Sequence, residues 1–406
     1  MRLPQVMRHR DFNLYFAGVV FSEIGIRATV AANLFHVFQL TGSTLQVGFV
    51  GLFQAIALLV LSPLGGAYAD RLDRRRLVQI SQGLSLVVTL ALALGTLAGA
   101  VTTWHILVSV LLNTAAATFD RPARQALIPA IVPRDQLVQA YALVNPGREI
   151  AILVGPTIAG LLIALSGPAA VYLFDTATYV VLIGVLALLK VPPIEAEAGR
   201  ASLWVSITEG IRFVRHRPII WQLTSLDLSA TLFGAYRVVL PAFATVILGA
   251  GPLAYGLLSS APSAGALLGS ALVFRLIKTR PSGHIVLAAT IGYGLAAVVL
   301  AQSRVLGLAL LAAGGLGLFD ALATTIRHAA VQLETPDDIR GRVTSIYQMA
   351  SRGGPALGDL NIGSIAGVVG PVAALTIGGL VPVAYAAALA VRGGRVRDYQ
   401  VAEAAV

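Results

Sequence analysis

The chain has 406 residues, 57% of them hydrophobic and only 12% charged, with a mean hydropathy of +0.81. A water-soluble domain carries about 25% charged residues, so a soluble globule is excluded, and the absence of cysteine excludes disulfides, thiolate metal sites and a cysteine nucleophile. The net charge of +10 would suit a nucleic-acid partner, but its placement argues for a role in membrane orientation.

Apolar runs of about 20 residues, each able to cross ~30 Å of hydrocarbon, recur along the whole length. They are continuous rather than alternating, which selects helices over barrel strands. The pattern predicts helices at 12–39, 45–68, 77–99, 103–127, 138–166, 169–190, 218–247, 253–278, 283–303, 304–330, 342–368 and 371–391. The expected fold class is therefore an all-α membrane protein of twelve transmembrane helices in two pseudo-symmetric six-helix bundles. Residues 1–190 form the first bundle, 191–217 a cytoplasmic connector, and 218–406 the second bundle with a short tail.

In helix one, Glu23 and Arg27 interrupt the apolar run. No small-residue cleavage site follows, so the run is expected to be a retained helix rather than a signal peptide. The two residues lie one turn apart and can pair. A charge at membrane depth costs at least ~2.5–3.5 kcal/mol and normally faces a cavity, so Glu23 and Arg27 are candidates for the translocation path, with Asn33 and His36 further along. The alternative is a self-neutralised pair that fixes packing. The next joint reads Gly65-Gly66-Ala67-Tyr68-Ala69-Asp70-Arg71-Leu72-Asp73-Arg74-Arg75-Arg76. Here Asp70 can pair with a guanidinium such as Arg74, Arg121 or Arg124, making a gate that breaks and reforms; Arg75 and Arg76 read more simply as orientation charge.

Asp120, Arg121 and Arg124 at the end of helix four join that gate set. On helix five, Arg148 and Glu149 point ~100° apart, so one line of a cavity cannot hold both. Gly155-Pro156 removes a backbone donor and is expected to bend the helix. Asp175 on helix six is expected near the outer water boundary. Ser202–Arg217 in the connector reads as an amphipathic surface helix. Helices seven, ten and eleven carry Asp227 and Arg237, Asp320, and Arg352 and Asp359. Arg148 and Arg352 either form a cationic pair for a carboxylate or catecholate, where a guanidinium offers forked donors, or bridge to Glu149 or Asp359.

Two patterns run through the whole chain. Arg71, Arg74, Arg75, Arg76, Arg121, Arg124, Arg134, Arg212, Arg215, Arg217, Lys278, Arg280, Arg340, Arg342, Arg392, Arg395 and Arg397 fall on one side of alternating loops, against Arg304 on the other. This asymmetry places both termini in the cytoplasm and makes nucleic acid an improbable partner. A shift of 204 residues brings Gly65 onto Gly269, Arg71 onto Arg275, Glu23 onto Asp227 and Arg148 onto Arg352. That echo favours a duplicated six-helix unit with a site between the halves, as in secondary transporters.

The loop Gly65-x4-Asp70-Arg71-x2-Arg74-Arg75 resembles that between helices two and three of the major facilitator superfamily. Phe119-Asp120-Arg121-Pro122-Ala123-Arg124-Gln125-Ala126-Leu127-Ile128-Pro129 and Ile339-Arg340-Gly341-Arg342-Val343 are similar to the enterobactin-exporter-like branch of its drug:proton antiporters. The resemblance implies alternating-access export of a small amphiphilic or anionic molecule, a siderophore or drug, in exchange for protons. It further implies a multi-pass protein of the cell inner membrane, expected as a monomer among membrane lipids. The chain departs from the pattern in two places: Ile106 to Phe119 lacks the arginine many proton-driven members carry in helix four, and Ala159 stands where a glycine is usual. An uptake symporter, a lipid flippase, or a receptor or channel remain as alternatives. The six histidines show no metal-binding spacing and no phosphate loop occurs, so no metal, no cofactor and no enzyme activity are expected; a proton gradient would supply the energy.

Overall fold

The computed structural model describes residues 4–69, 73–189, 212–278, 280–337, 339–392 and 395–400. Among these there is no strand, and twelve long helices dominate. They are α1 (Arg10–Thr41), α2 (Thr44–Ala69), α3 (Arg74–Leu97), α4 (Thr103–Ile131), α5 (Leu137–Ser166), α6 (Pro168–Leu188), α7 (Pro218–Phe233), α8 (Gly251–Leu276), α9 (Ser282–Gln302), α10 (Leu306–Leu333), α11 (Arg340–Val369) and α12 (Pro371–Val391). Nine of these described helices are long and apolar enough to cross a membrane by length and composition. The other three are α4, with Asp120, Arg121 and Arg124 in its second half, α11, with four charged residues between Arg340 and Asp359, and α7, which is only 16 residues long. Large apolar side chains such as Phe274, Leu311 and Val368 point outward, as a surface bathed in lipid requires.

The chain divides into two compact units, Met1–Thr41 with Phe53–Arg200, and Gly42–Leu52 with Ala201–Val406. Within the first, α1 packs on α5 and α6, α3 on α4 and α6, and α5 on α6. Within the second, α7 packs on α11 and α12, α9 on α10 and α12, and α11 on α12. Every pair in the first unit recurs six helices later, so the echo read from the sequence has a counterpart in how each unit is packed.

Lipid is as apolar as leucine, so helices here gain little from burying apolar surface and associate where small residues let backbones approach. In the second unit a Cβ at Gly265 would lie 1.7 Å from the Gly314 carbonyl oxygen, and one at Gly317 1.7 Å from that of Pro262. Glycine is therefore the residue that allows α8 and α10 to touch.

The helix ends are set by local chemistry. Asp73 caps α3 by accepting from the Arg76 backbone N–H at 3.1 Å. Arg75 does more than carry orientation charge, because its guanidinium donates to the carbonyls of Ala187 and Leu189 at 2.8 and 3.1 Å. It thus closes the C-terminal end of α6, where carbonyls lack intrahelical partners and the helix dipole favours a cation. Asp73→Ala is expected to destabilise the protein by about 1 kcal/mol, seen as a lower heat-denaturation midpoint of the purified protein. The corners from α5 to α6 and from α11 to α12 each turn on one glycine, Gly167 (φ 78°, ψ 178°) and Gly370 (φ 84°, ψ 159°), followed by proline at the first helical position.

Helix seven departs from the predicted continuous run over 218–247. α7 stops at Phe233, a short turn follows at Leu240–Ala242, and Phe243–Ile247 is π-helical. Pro241 explains the break: it has no N–H to give and its ring crowds the carbonyl four residues earlier. A frayed helix end inside a membrane must still satisfy its carbonyls. Tyr293 Oη on α9 donates to the Gly234 carbonyl at 2.9 Å, and Asn361 Nδ2 on α11 to that of Leu232 at 2.9 Å. The connector expectation for Ser202–Arg217 falls mainly outside the described residues, of which 212–216 are helical.

Candidate functional site

In the first unit the expected pair on α1 forms: Arg27 donates to Glu23 Oε1 through Nη2 at 2.6 Å and through Nε at 2.9 Å. Both side chains keep some exposure, 23% and 14%, so the pair borders accessible space. Gly155 on α5 lies against it, since a Cβ there would come within 2.5 Å of Arg27 Cβ. α5 continues as a helix through Pro156 to Ser166.

Next to Glu23 on α1, Ser22 enters a closed ring of polar groups. Arg124 Nε meets Asp120 Oδ2 at 2.6 Å, and Gln82 Nε2 donates to Asp120 Oδ1 at 3.1 Å. Ser22 Oγ donates to Gln82 at 3.4 Å and accepts from Arg124 at 3.5 Å. Tyr15 Oη adds a bond to the Arg124 carbonyl at 2.7 Å. The ring ties α1, α3 and α4, and all four of its side chains are buried. Asp120 thus belongs to a buried charge network with Arg124, one of the candidate partners for Asp70. Asp70 and Arg71 lie outside the described residues, as do the surroundings of Gly65 and the side chains of Arg74 and Arg352; Arg121 is partly buried.

Arg148 and Glu149 are both exposed on α5, and neither side chain enters an ion pair among the described residues. Asp359 Oδ2 is taken by Arg237 Nη2 at 2.5 Å. Asn33 is buried, with its Oδ1 left without a partner. His36 Nδ1 lies 3.1 Å from Tyr172 Oη on α6. Asp175 corrects the expectation of a solvated position, for it is 0% exposed.

The second unit holds two charge clusters. Arg237 sits in the break after α7 and reaches Asp359 on α11; the acid is 2% exposed and the guanidinium 38%. One carboxylate therefore anchors an arginine that still presents donors outward. Deeper in, Arg327 Nη2 on α10 pairs with Asp227 Oδ1 on α7 at 2.7 Å and lies 3.5 Å from Asp320 Oδ1. Arg327 and Asp227 are 2% and 4% exposed, whereas Asp320 is 53% exposed. Sequence reasoning passed over Arg327. The available signal was its spacing of seven from Asp320, which puts both on one face of a helix.

A family model described as transmembrane secretion effector matches residues 5–404. The enterobactin exporter of Citrobacter koseri is 26% identical over 380 residues, covering 93% of this chain and 91% of that protein. That of Salmonella typhimurium is 25% identical over 383 residues with the same coverage. Among solved structures, the nucleoside transporter NupG superposes with a TM-score of 0.73 at 14% identity, covering 94% of this chain and 98% of that one. A bacterial homologue of the human lysosomal transporter Spinster does so with a TM-score of 0.70 at 14% identity, covering 100% and 98%. At such identities the superpositions speak for the fold alone.

Proposed function

The chain belongs to the transmembrane secretion effector family, on the enterobactin-exporter-like branch of the major facilitator superfamily, and from that premise we propose that it exports a small anionic or amphiphilic molecule in exchange for protons. It is a multi-pass membrane transporter, and the family and its relatives are not enzymes. The proposal places it in the cytoplasmic membrane with both termini inside, following the side on which the arginines gather. Export of a siderophore-like cargo is supported by the named relatives, which match along nearly their whole length.

The observation that carries an anionic cargo is the Arg237–Asp359 pair. The guanidinium at this helix break is 38% exposed, and interrupted helices are where carriers hold charged substrates. The acid on its inner side keeps the arginine oriented without covering it. A substrate carboxylate or catecholate would accept the remaining donors in forked geometry.

Inside-out vesicles test both parts. With a panel of catecholate siderophores and amphiphilic drugs, an acidified lumen should drive uptake that disappears when the gradient is collapsed. Uptake that ignores the gradient, or that runs only in the opposite direction, sinks the proposed coupling. The neutral double variant Arg237→Gln/Asp359→Asn should weaken apparent affinity for anionic cargo about tenfold or more, the equivalent of one charge-assisted contact. Neutral cargo should be unaffected. Equal losses for both would make the pair a packing element.

A further inference from the structure

Asp175 stands apart from the other buried carboxylates. Glu23, Asp120, Asp227 and Asp359 each have an arginine at 2.5–2.7 Å. Asp175 lies eight residues into α6, is 0% exposed, and has no arginine, lysine or histidine paired with it among the described residues. Its Oδ1 accepts a hydrogen bond from Thr178 at 3.3 Å, while its Oδ2 has no partner within hydrogen-bonding distance among the described residues. Across the helix contact, Thr29 Oγ1 on α1 is also buried without a partner. Thr29 and Tyr179 are the further polar groups beside the carboxyl, and the charged group that acts on it is Glu23. Tyr179 in turn lies within electrostatic reach of Arg124 and Asp120.

The setting is built by a glycine. A Cβ at Gly25 would lie 2.5 Å from both Asp175 Oδ1 and Thr178 Oγ1, so α1 presents bare backbone to the carboxyl. A side chain at position 25 itself would collide with the carboxyl. An unpaired carboxylate in such surroundings is far costlier than the neutral acid.

We propose that Asp175 is a proton-binding site of this transporter, occupied in the conformation described and emptied during the cycle. On release, the Asp175 O–H bond breaks, the proton passes to water entering beside Glu23, and the resulting carboxylate accepts hydroxyl hydrogens from Thr178, Thr29 and Tyr179. Three hydroxyls without a fixed cation hold the anion only transiently, so the site reloads when it is closed again. Glu23, by contrast, already has Arg27 as its counter-charge. The binding of a proton at Asp175 stands by itself; its use in transport rests on the proton exchange proposed for the family's cargo.

Infrared spectroscopy of the full-length protein in lipid nanodiscs reads the proton directly and needs no ligand. At neutral pH the wild type should show the carbonyl stretch of a protonated carboxylic acid. The band should move on labelling the aspartate side chains with carbon-13, shift in frequency in Thr29→Val, persist in Glu23→Gln and vanish in Asp175→Asn. No such band in the wild type, or a band untouched by both Thr29→Val and Asp175→Asn, overturns the assignment. Since Thr29→Val retains the carboxyl, the test survives if Asp175→Asn fails to fold. Vesicle uptake of enterobactin and of the drug panel separates the two levels. Wild-type flux that ignores the pH gradient while the band is present removes the coupling and leaves the site. Gradient-driven flux that Asp175→Asn retains unchanged removes Asp175 from coupling and leaves the exchange.

Discussion

Replacing Arg327 by methionine is expected to destabilise the protein by about 3–5 kcal/mol, because it leaves a buried carboxylate without its counter-charge. Asp227 is 4% exposed and its Oδ1 meets Arg327 at 2.7 Å; the second acid near this arginine, Asp320, is 53% exposed and can be solvated without it. The loss should therefore come from Asp227 and not from Asp320. Heat-denaturation midpoints of purified protein measure this. Arg327→Met should melt far below the wild type, and Asp320→Asn close to it. The double change Arg327→Met/Asp227→Asn should recover most of the loss, since both charges go together. If the single and double variants melt alike, the arginine acts by its volume and the electrostatic account fails.

Gly265→Leu should be comparably severe for a purely steric reason. The nearest atom to a Cβ there is the backbone oxygen of Gly314, at 1.7 Å, with the Leu318 nitrogen at 3.0 Å. Backbone cannot rotate aside as a side chain can. Overpacking of a tight contact costs about 1–3 kcal/mol even where side chains yield, and here α8 and α10 must separate. Gly307 on α10 supplies the control, having nothing within 4 Å of its would-be Cβ. Gly307→Ala should be neutral, or stabilising by up to about 1 kcal/mol through helix propensity. Loss of monodisperse protein for Gly265→Leu beside normal behaviour of Gly307→Ala is the expected pattern; equal behaviour contradicts it.

Much of this architecture is legible from the residues, for physical reasons. A membrane forces long apolar runs, so eleven helices fall within four residues of their predicted bounds. Gly–Pro joints mark corners because few other residues turn a chain there. Helix seven misled because its run is apolar throughout, and the partners that make a break tolerable, Tyr293 and Asn361, are distant in sequence. The Glu23–Arg27 pair could be foreseen since one helix fixes its spacing. Asp227–Arg327 and Arg237–Asp359 could not, because they join residues about a hundred positions apart. Arg327 shows nothing of its role locally beyond its spacing from Asp320, since its buried partner Asp227 lies on another helix. Asp175 was misplaced for a related reason. Its depth depends on how closely α1 approaches α6, and that is set by Gly25, which no pattern within α6 reveals.

The single-residue corners at Gly167 and Gly370 bear on how the protein enters its membrane. Their backbone, with φ near 80° and extended ψ, is open essentially to glycine alone, and the proline that follows bars the preceding residue from helical conformation. With no polar loop between them, α5 and α6 give an insertion machine no hydrophilic stretch to release between one helix and the next. The same holds for α11 and α12. Each pair should therefore pass into the bilayer as one folded hairpin, and an epitope tag or protease site placed at either corner should block that passage. The joint between α3 and α4, where Ala98–Thr102 separates the helices, offers a loop in which such an insertion can be accommodated.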